Sequence, residues 1–199
     1  MSDYAEFAPD PRVVVGGYIE ADPDFSAGLA AEAPPGVDEE TFKAAMRSLA
    51  TGVVMVVAQR GDRLWGLTIS ACCSISANPP QVLISLADDA SCRDAILDTS
   101  RFGLSVLRDD QRHLAELGAV PGGPKYVDAF CQDAGSGGGT TMIAGALVHV
   151  DCTVARVFEV SDHTILIGNV EAVVTPERPG GPLLYFDRTF HTLGEPLDE

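Results

Sequence analysis

Along the chain the apolar positions change period several times, and each change marks an element. From Asp38 the sequence places Phe42, Ala45, Met46 and Leu49 at i, i+3, i+4 and i+7, with Glu39 and Glu40 in the first turn. That spacing predicts an amphipathic helix capped by Asp38 and closed by Gly52. The run Val53-Val54-Met55-Val56-Val57-Ala58 follows, turned by Gly61-Asp62 into Leu64-Trp65-Gly66-Leu67-Thr68-Ile69, and the pair reads as a β-hairpin. Further strands are expected over 82–87, 102–107, 146–160, 164–175 and 183–186. Short helices are expected over 91–98 and 109–117, with Ser91 and Asp109 as caps. In the longest strand Val148, Val150, Cys152 and Val154 alternate with His149, Asp151, Thr153 and Ala155, so one face must meet something polar. Many strands joined by hairpins, few helices and no regular βαβ alternation argue for a closed antiparallel barrel. The Gly-rich stretch between 120 and 141 reads as a mobile or functional loop.

Composition narrows the class of protein. With 199 residues, 46% hydrophobic and 21% charged, the chain is long and apolar enough for a buried core. Thirteen Lys and Arg against 29 Asp and Glu give a net charge of -16, the wrong sign for nucleic acid or an anionic membrane. Residues 1–37 hold seven of the acids and one base, Arg12, and end in an Ala/Pro/Gly-rich stretch. They read as an N-terminal extension to a single domain over 38–199. No apolar run is long enough for a membrane span, and the first ten residues are acidic where a signal peptide would be basic, so a cytoplasmic location is expected. The five cysteines include no CxxC pair, and Cys72 and Cys73 are adjacent, which points to buried thiols rather than disulfides or a zinc site.

Several catalytic signatures are missing. There is no GxGxxG behind a strand, no P-loop, no GxSxG and no HExxH, and His113, His149, His163 and His191 have no close pairwise spacing. Hydrolysis and metal catalysis are therefore weak readings.

One segment carries a stronger signal. From Gly66 to Pro80 the sequence runs Gly-Leu-Thr-Ile-Ser-Ala-Cys-Cys-Ser-Ile-Ser-Ala-Asn-Pro-Pro, followed by Val82-Leu83-Ile84-Ser85-Leu86. Here the chain resembles the short-chain flavin reductases of the FMN-binding split-barrel superfamily, the reductase components of two-component flavin monooxygenases. The resemblance covers most of 38–193. It takes in Ala50-Thr51-Gly52-Val53, Ser91 with Ile96, Ser105-Val106-Leu107 with Gln111 and Leu114-Ala115, Ser161-Asp162-His163 leading to Gly168, and Pro182-Leu183-Leu184-Tyr185. It implies a mainly β fold with short helices, a split antiparallel β-barrel of the FMN-binding type.

Carried over residue by residue, the resemblance implies flavin contacts at Thr51, Gly52 and Val53, at Thr68, Ile69, Ser70, Ala71 and Ser74, and at Ser85, Leu86 and Ala87. It adds Ser91, Arg93, His163, Tyr185 and Phe190. In an extended strand the hydroxyls of Thr68, Ser70 and Ser74 share one face and can hydrogen-bond a flavin, although the same alternation describes a solvent-facing row. Small Gly66 and Ala71 would let backbone amides approach the ring, or would serve packing. Ser91 opens a helix whose free amides and dipole, with Arg93 in the first turn, suit a phosphate, and Ser91 with Asp94 also reads as a capping box. In similar reductases the histidine matching His163 contacts the nicotinamide nucleotide or flavin, which makes it the candidate catalytic residue, and the bland alternative is an exposed turn histidine. Tyr185 and Phe190 flank the ring or belong to the core.

The implied activity is an NAD(P)H:flavin oxidoreductase, in which NADH or NADPH reduces FMN or FAD by hydride transfer to flavin N5 and the reduced flavin serves a partner monooxygenase. The resemblance also implies a homodimer. The alternative is a flavin-binding carrier module, or a flavoenzyme with tightly held FMN. Arg156, Arg178 and Arg188 are scattered, so the sequence leaves NADH against NADPH, and FMN against FAD, open.

Overall fold

The strand Val54–Arg60 is apolar at consecutive positions because both of its faces are covered, and the rest of the fold is arranged around it. The computed structural model describes residues 36–122, 125–133, 139–176 and 180–195. The N-terminal extension expected over 1–37 lies outside the described residues as far as residue 35, as do most of the glycine run 135–139 and Arg178. The described elements are α1 (Glu39–Met46), β1 (Thr51–Gly52), β2 (Val54–Arg60), β3 (Arg63–Ile69), β4 (Cys72–Ala77), β5 (Pro80–Ala87), α2 (Ser91–Thr99) and β6 (Arg101–Val106). They continue with α3 (Arg112–Ala119), β7 (Cys131–Asp133), β8 (Thr141–Ile143), β9 (Val148–Val160), β10 (His163–Val174), β11 (Leu184–Phe186) and β12 (Thr189–His191).

Seven strands form one antiparallel sheet in the order β3-β2-β6-β9-β10-β5-β4. The two outermost strands, β3 and β4, are consecutive in the chain and separated only by Ser70-Ala71. The sheet is rolled. Its inner face gathers Val56 of β2, Ile84 and Leu86 of β5, Phe102 of β6, Cys152 of β9 and Leu166 of β10 into one core, into which α2 inserts Cys92, Ala95 and Ile96. The other face of β2 contributes Met55 and Val57, with Val53 just before the strand, to a second core with Leu114 and Ala115 of α3, Val127, Ile143 and Leu183. Fold class and most strands match the sequence expectation.

Four local expectations are corrected. Helix α1 is capped by Asp38, whose carboxylate accepts from the Thr41 amide at 2.9 Å and the Thr41 hydroxyl at 2.7 Å, but it stops at Met46. Gly52 does not close it, because Gly52 pairs with Leu184 in a small sheet β1-β11-β12. Ser91 is not a cap either: Ala90 holds the N-cap position of α2 without a side-chain bond, so the Ser91–Asp94 box is not formed. The region 120–141 is not one loop, since β7 lies within it and pairs with β8, which begins at its end. Of the cysteines, Cys92 and Cys152 are buried, Cys72 and Cys131 half-buried and Cys73 exposed.

The polar face of β9 meets polar partners on neighbouring segments. His149 sits between the hydroxyls of Ser105 (3.2 Å from Nδ1) and Thr140 (3.0 Å from Nε2). Ser105 Oγ also accepts the Ile143 amide at 3.0 Å, so the histidine, the hydroxyl and the end of β8 are tied together. Burial lowers the His149 pKa from its ordinary 6.5, with Asp151 pulling the other way. Asp151 is itself buried and accepts from Arg101 at 2.7 Å and from the Gly139 amide at 2.6 Å.

Candidate functional site

A cavity of about 580 Å³ opens between the end of β3, helix α3 and the β11–β12 hairpin. That volume is in the usual range for small-molecule sites. Its floor is Val53 and the segment Thr68, Ile69 and Ser70. One wall is α3 with Arg112, Glu116 and Ala119, followed by Val120. The opposite wall is the hairpin, where Tyr185 and Phe190 lie directly across from each other with ring centroids 5.3 Å apart and planes tilted by 59°. Tyr185 also pairs with Thr51, which sets β1 beside this wall. Arg188 and Thr189 complete it at the turn.

The approach of α3 to β3 is set by one hydroxyl and one glycine. Thr68 Oγ1 donates to the Ala115 carbonyl at 2.9 Å, and a Cβ on Gly118 would come within 2.3 Å of that oxygen and 2.8 Å of the Thr68 amide nitrogen. The proton of Thr68 is therefore committed, and toward the cavity this hydroxyl can only accept. Ser70 is exposed, and among the described residues its hydroxyl has no partner, so it remains free to donate. On α3, Arg112 donates to Glu116 at 2.8 Å and lies 5.6 Å from the centre of the Phe190 ring.

A second group collects at the barrel rim. His163 is opposite Ala87 on β5, and Ser85 is opposite Ile165, so Ser85, Ala87 and His163 share one face of the sheet. His163 Nδ1 lies 2.7 Å from Asp162 Oδ1, a bond that lowers the Asp162 pKa and leaves Nε2 as the free ring nitrogen. Ser161, which precedes this pair, adopts a left-handed backbone with φ 57°. Arg93 is half-buried among carboxylates, 3.6 Å from Asp88, 3.4 Å from Asp94 and 3.5 Å from Glu159, and its Nε donates to Thr164 at 2.6 Å.

Residues 46–194 match the flavin reductase like domain family. The chain belongs to that family. It is 36% identical over 160 residues to the flavin reductase (NADH) of Kitasatospora aureofaciens, covering 79% of this chain and 83% of that protein. It is 32% identical over 155 residues to the reductase component of 4-hydroxyphenylacetate 3-monooxygenase of Thermus thermophilus, covering 78% of this chain and 97% of that one. Among solved structures, the flavin reductase PheA2 in its native state superposes with a TM-score of 0.71 at 29% identity, over 80% of this chain and all of that one (100%).

Within this flavin reductase-like domain the residues singled out from sequence divide in two. Val53, Thr68, Ile69, Ser70, Tyr185 and Phe190 meet at the cavity, with Thr51 and Gly52 on the adjoining strand β1. Ser85, Ala87, Ser91, Arg93 and His163 belong to the rim, and Ala71 links the two, since its carbonyl accepts the Ser85 amide at 3.1 Å. Two details are corrected and one open alternative is decided. Ser70-Ala71 separates β3 from β4, so Thr68, Ser70 and Ser74 do not lie along one extended strand. Leu86 is only 1% exposed and packs in the barrel interior, which leaves its side chain out of reach of a ligand. Gly66 serves packing: a Cβ there would meet Val127 Cγ1 at 2.5 Å. Sequence reasoning missed Arg112, Glu116 and the cavity position of Arg188. The i,i+4 spacing of Arg112 and Glu116 in a predicted helix was the available signal for the first two. For Arg188 it was an Asp-Arg turn between two aromatic strands.

Proposed function

We propose that the chain is an NADH-dependent flavin reductase that supplies reduced FMN or FAD to a partner monooxygenase. The observation that carries this reading is the cavity, in which the Tyr185–Phe190 pair faces Thr68 and Ser70 across a space large enough for a flavin ring. These residues fit the group. The tilted aromatic pair and Val53 and Ile69 offer apolar surface to the ring, Ser70 offers a donor and Thr68 an acceptor to its polar edge. Flavin and nicotinamide supply the redox chemistry themselves when bound. What the protein contributes is orientation and partial exclusion of water. In this reading His163, with Asp162 fixing its tautomer, offers Nε2 to the nicotinamide nucleotide as a positioning contact. The names of the relatives, which specify NADH, favour NADH over NADPH.

Two further parts of the reading concern assembly. A homodimer is supported by Val157, Phe158 and Val160, exposed apolar residues at the β9–β10 end beside His163, where a second copy would cover them. Residues 1–37 are read as an acidic extension to the domain over 38–199, and the location as cytoplasmic. Among the described residues no helix is long and apolar enough to cross a membrane.

The test is oxidation of NADH or NADPH in air with FMN or FAD, each pair in turn. Fast oxidation with NADH, proportional to protein, is the expected result. Quenching of flavin fluorescence without turnover in any pair would support a flavin carrier instead.

A further inference from the structure

The hairpin that forms one wall of the cavity turns through Asp187 and Arg188, both in left-handed conformations with φ 43° and 63°. A two-residue turn of this hand suits the twist of a β-hairpin. Asp tolerates the conformation, but for an arginine it is unfavourable, and glycine would adopt it without steric cost. The chain therefore keeps at this position a residue that the backbone disfavours. Such a residue invites a functional explanation when its side chain does something that glycine cannot.

What Arg188 brings is a positive charge on the cavity wall. Among the described residues its guanidinium has no hydrogen-bond or ion-pair partner. The neighbouring cation on the other wall, Arg112, is bonded to Glu116. Arg93, the cation that the sequence reading assigned to a phosphate, is engaged by Asp88, Asp94, Glu159 and Thr164. In a chain of net charge -16, an arginine without a carboxylate, standing on the wall of a nucleotide-sized cavity, is a local exception to the field.

We propose that Arg188 binds a phosphate of the nucleotide seated in this cavity, and so makes the site prefer phosphorylated ligands over riboflavin. The guanidinium fork matches phosphate oxygens in a bidentate way. The phosphate has two sources, the tail of FMN or FAD and the pyrophosphate of NADH. The inference rests on the flavin site proposed above.

The experiment measures equilibrium binding, without turnover, to wild type, Arg188→Gly and Arg188→Lys. Riboflavin, FMN and FAD are titrated by flavin fluorescence without nicotinamide, and NADH by its own fluorescence without flavin. Arg188→Gly suits the left-handed turn, so its thermal midpoint is expected at or above that of wild type. Its affinity for the phosphorylated ligand should fall about tenfold or more, with riboflavin unchanged and Arg188→Lys keeping a large part of the affinity. A loss confined to FMN and FAD assigns the flavin phosphate, and a loss confined to NADH assigns the pyrophosphate. Unchanged affinity for FMN, FAD and NADH, or an equal loss for riboflavin, overturns the role of Arg188. Wild type that binds neither flavin nor NADH overturns the reductase reading itself.

Discussion

The hydroxyl of Thr68 donates to the carbonyl oxygen of Ala115 at 2.9 Å, joining strand β3 to helix α3 at the floor of the cavity. Gly118 makes the approach possible, because a Cβ there would press on both the hydroxyl and the backbone of Thr68. Helix propensity alone would reward Gly118→Ala by about 1 kcal/mol. The clash with a backbone nitrogen outweighs that gain, and overpacking of this kind costs about 1–3 kcal/mol. Gly118→Ala should therefore lower the urea midpoint and weaken flavin binding together. Gly52→Ala, where nothing lies within 4 Å of the added carbon, should leave stability nearly unchanged.

Arg93 distinguishes a structural cation from a ligand. Its ion pairs reach carboxylates that are 41 to 80% exposed, so solvent screens most of their worth. The bond to Thr164, itself buried, matters more. Arg93→Met should cost about 1–2 kcal/mol in chemical denaturation. The ratio of FMN to riboflavin affinity should stay as in wild type. A selective loss of FMN binding would instead make Arg93 the phosphate ligand.

His149 gives stability a dependence on pH. Its pKa is lowered by burial from 6.5, so the folded state prefers the neutral ring. The contribution is fully present above pH 6.5 and is lost as pH falls through the lower folded value. The urea midpoint should decline on acidification below 6.5, and His149→Gln should flatten that part of the profile. An equal slope in the variant would assign the decline to other groups.

The thiols should react in sequence. Burial pushes Cys72 up to about 11 and Cys92, Cys131 and Cys152 up to about 12, while Cys73 is exposed. A thiol-specific alkylating reagent at mildly alkaline pH should modify Cys73 first, with Cys92 and Cys152 protected until the chain unfolds. Peptide mapping after short and long exposure reads the order.

Much of the fold was legible because period and burial agree. The unbroken apolar run of β2 and the alternation along β9 both have their cause in what covers them, two cores in the first case and Ser105, Thr140 and Arg101 in the second. The site was legible only in part. Local spacing placed Thr68 and Ser70, but the break at Ser70-Ala71 moved Ser74 onto another strand, and no local rule marks such a break. Arg93 suited a phosphate in the sequence because two of its partners, Thr164 and Glu159, lie on strands far along the chain. Gly66 and Gly118 give no sequence sign of whether they serve a ligand or a neighbour. Only the atoms opposite them decide.

Strand β2 is shared between the barrel core on one face and the core behind the cavity on the other. Neither half can melt alone without stripping cover from the strand that the other depends on, so barrel and cavity should unfold as a single cooperative event. The amides of β2 should then exchange with deuterium only through global opening, and a ligand that tightens the cavity floor would protect the far side of the barrel to the same degree.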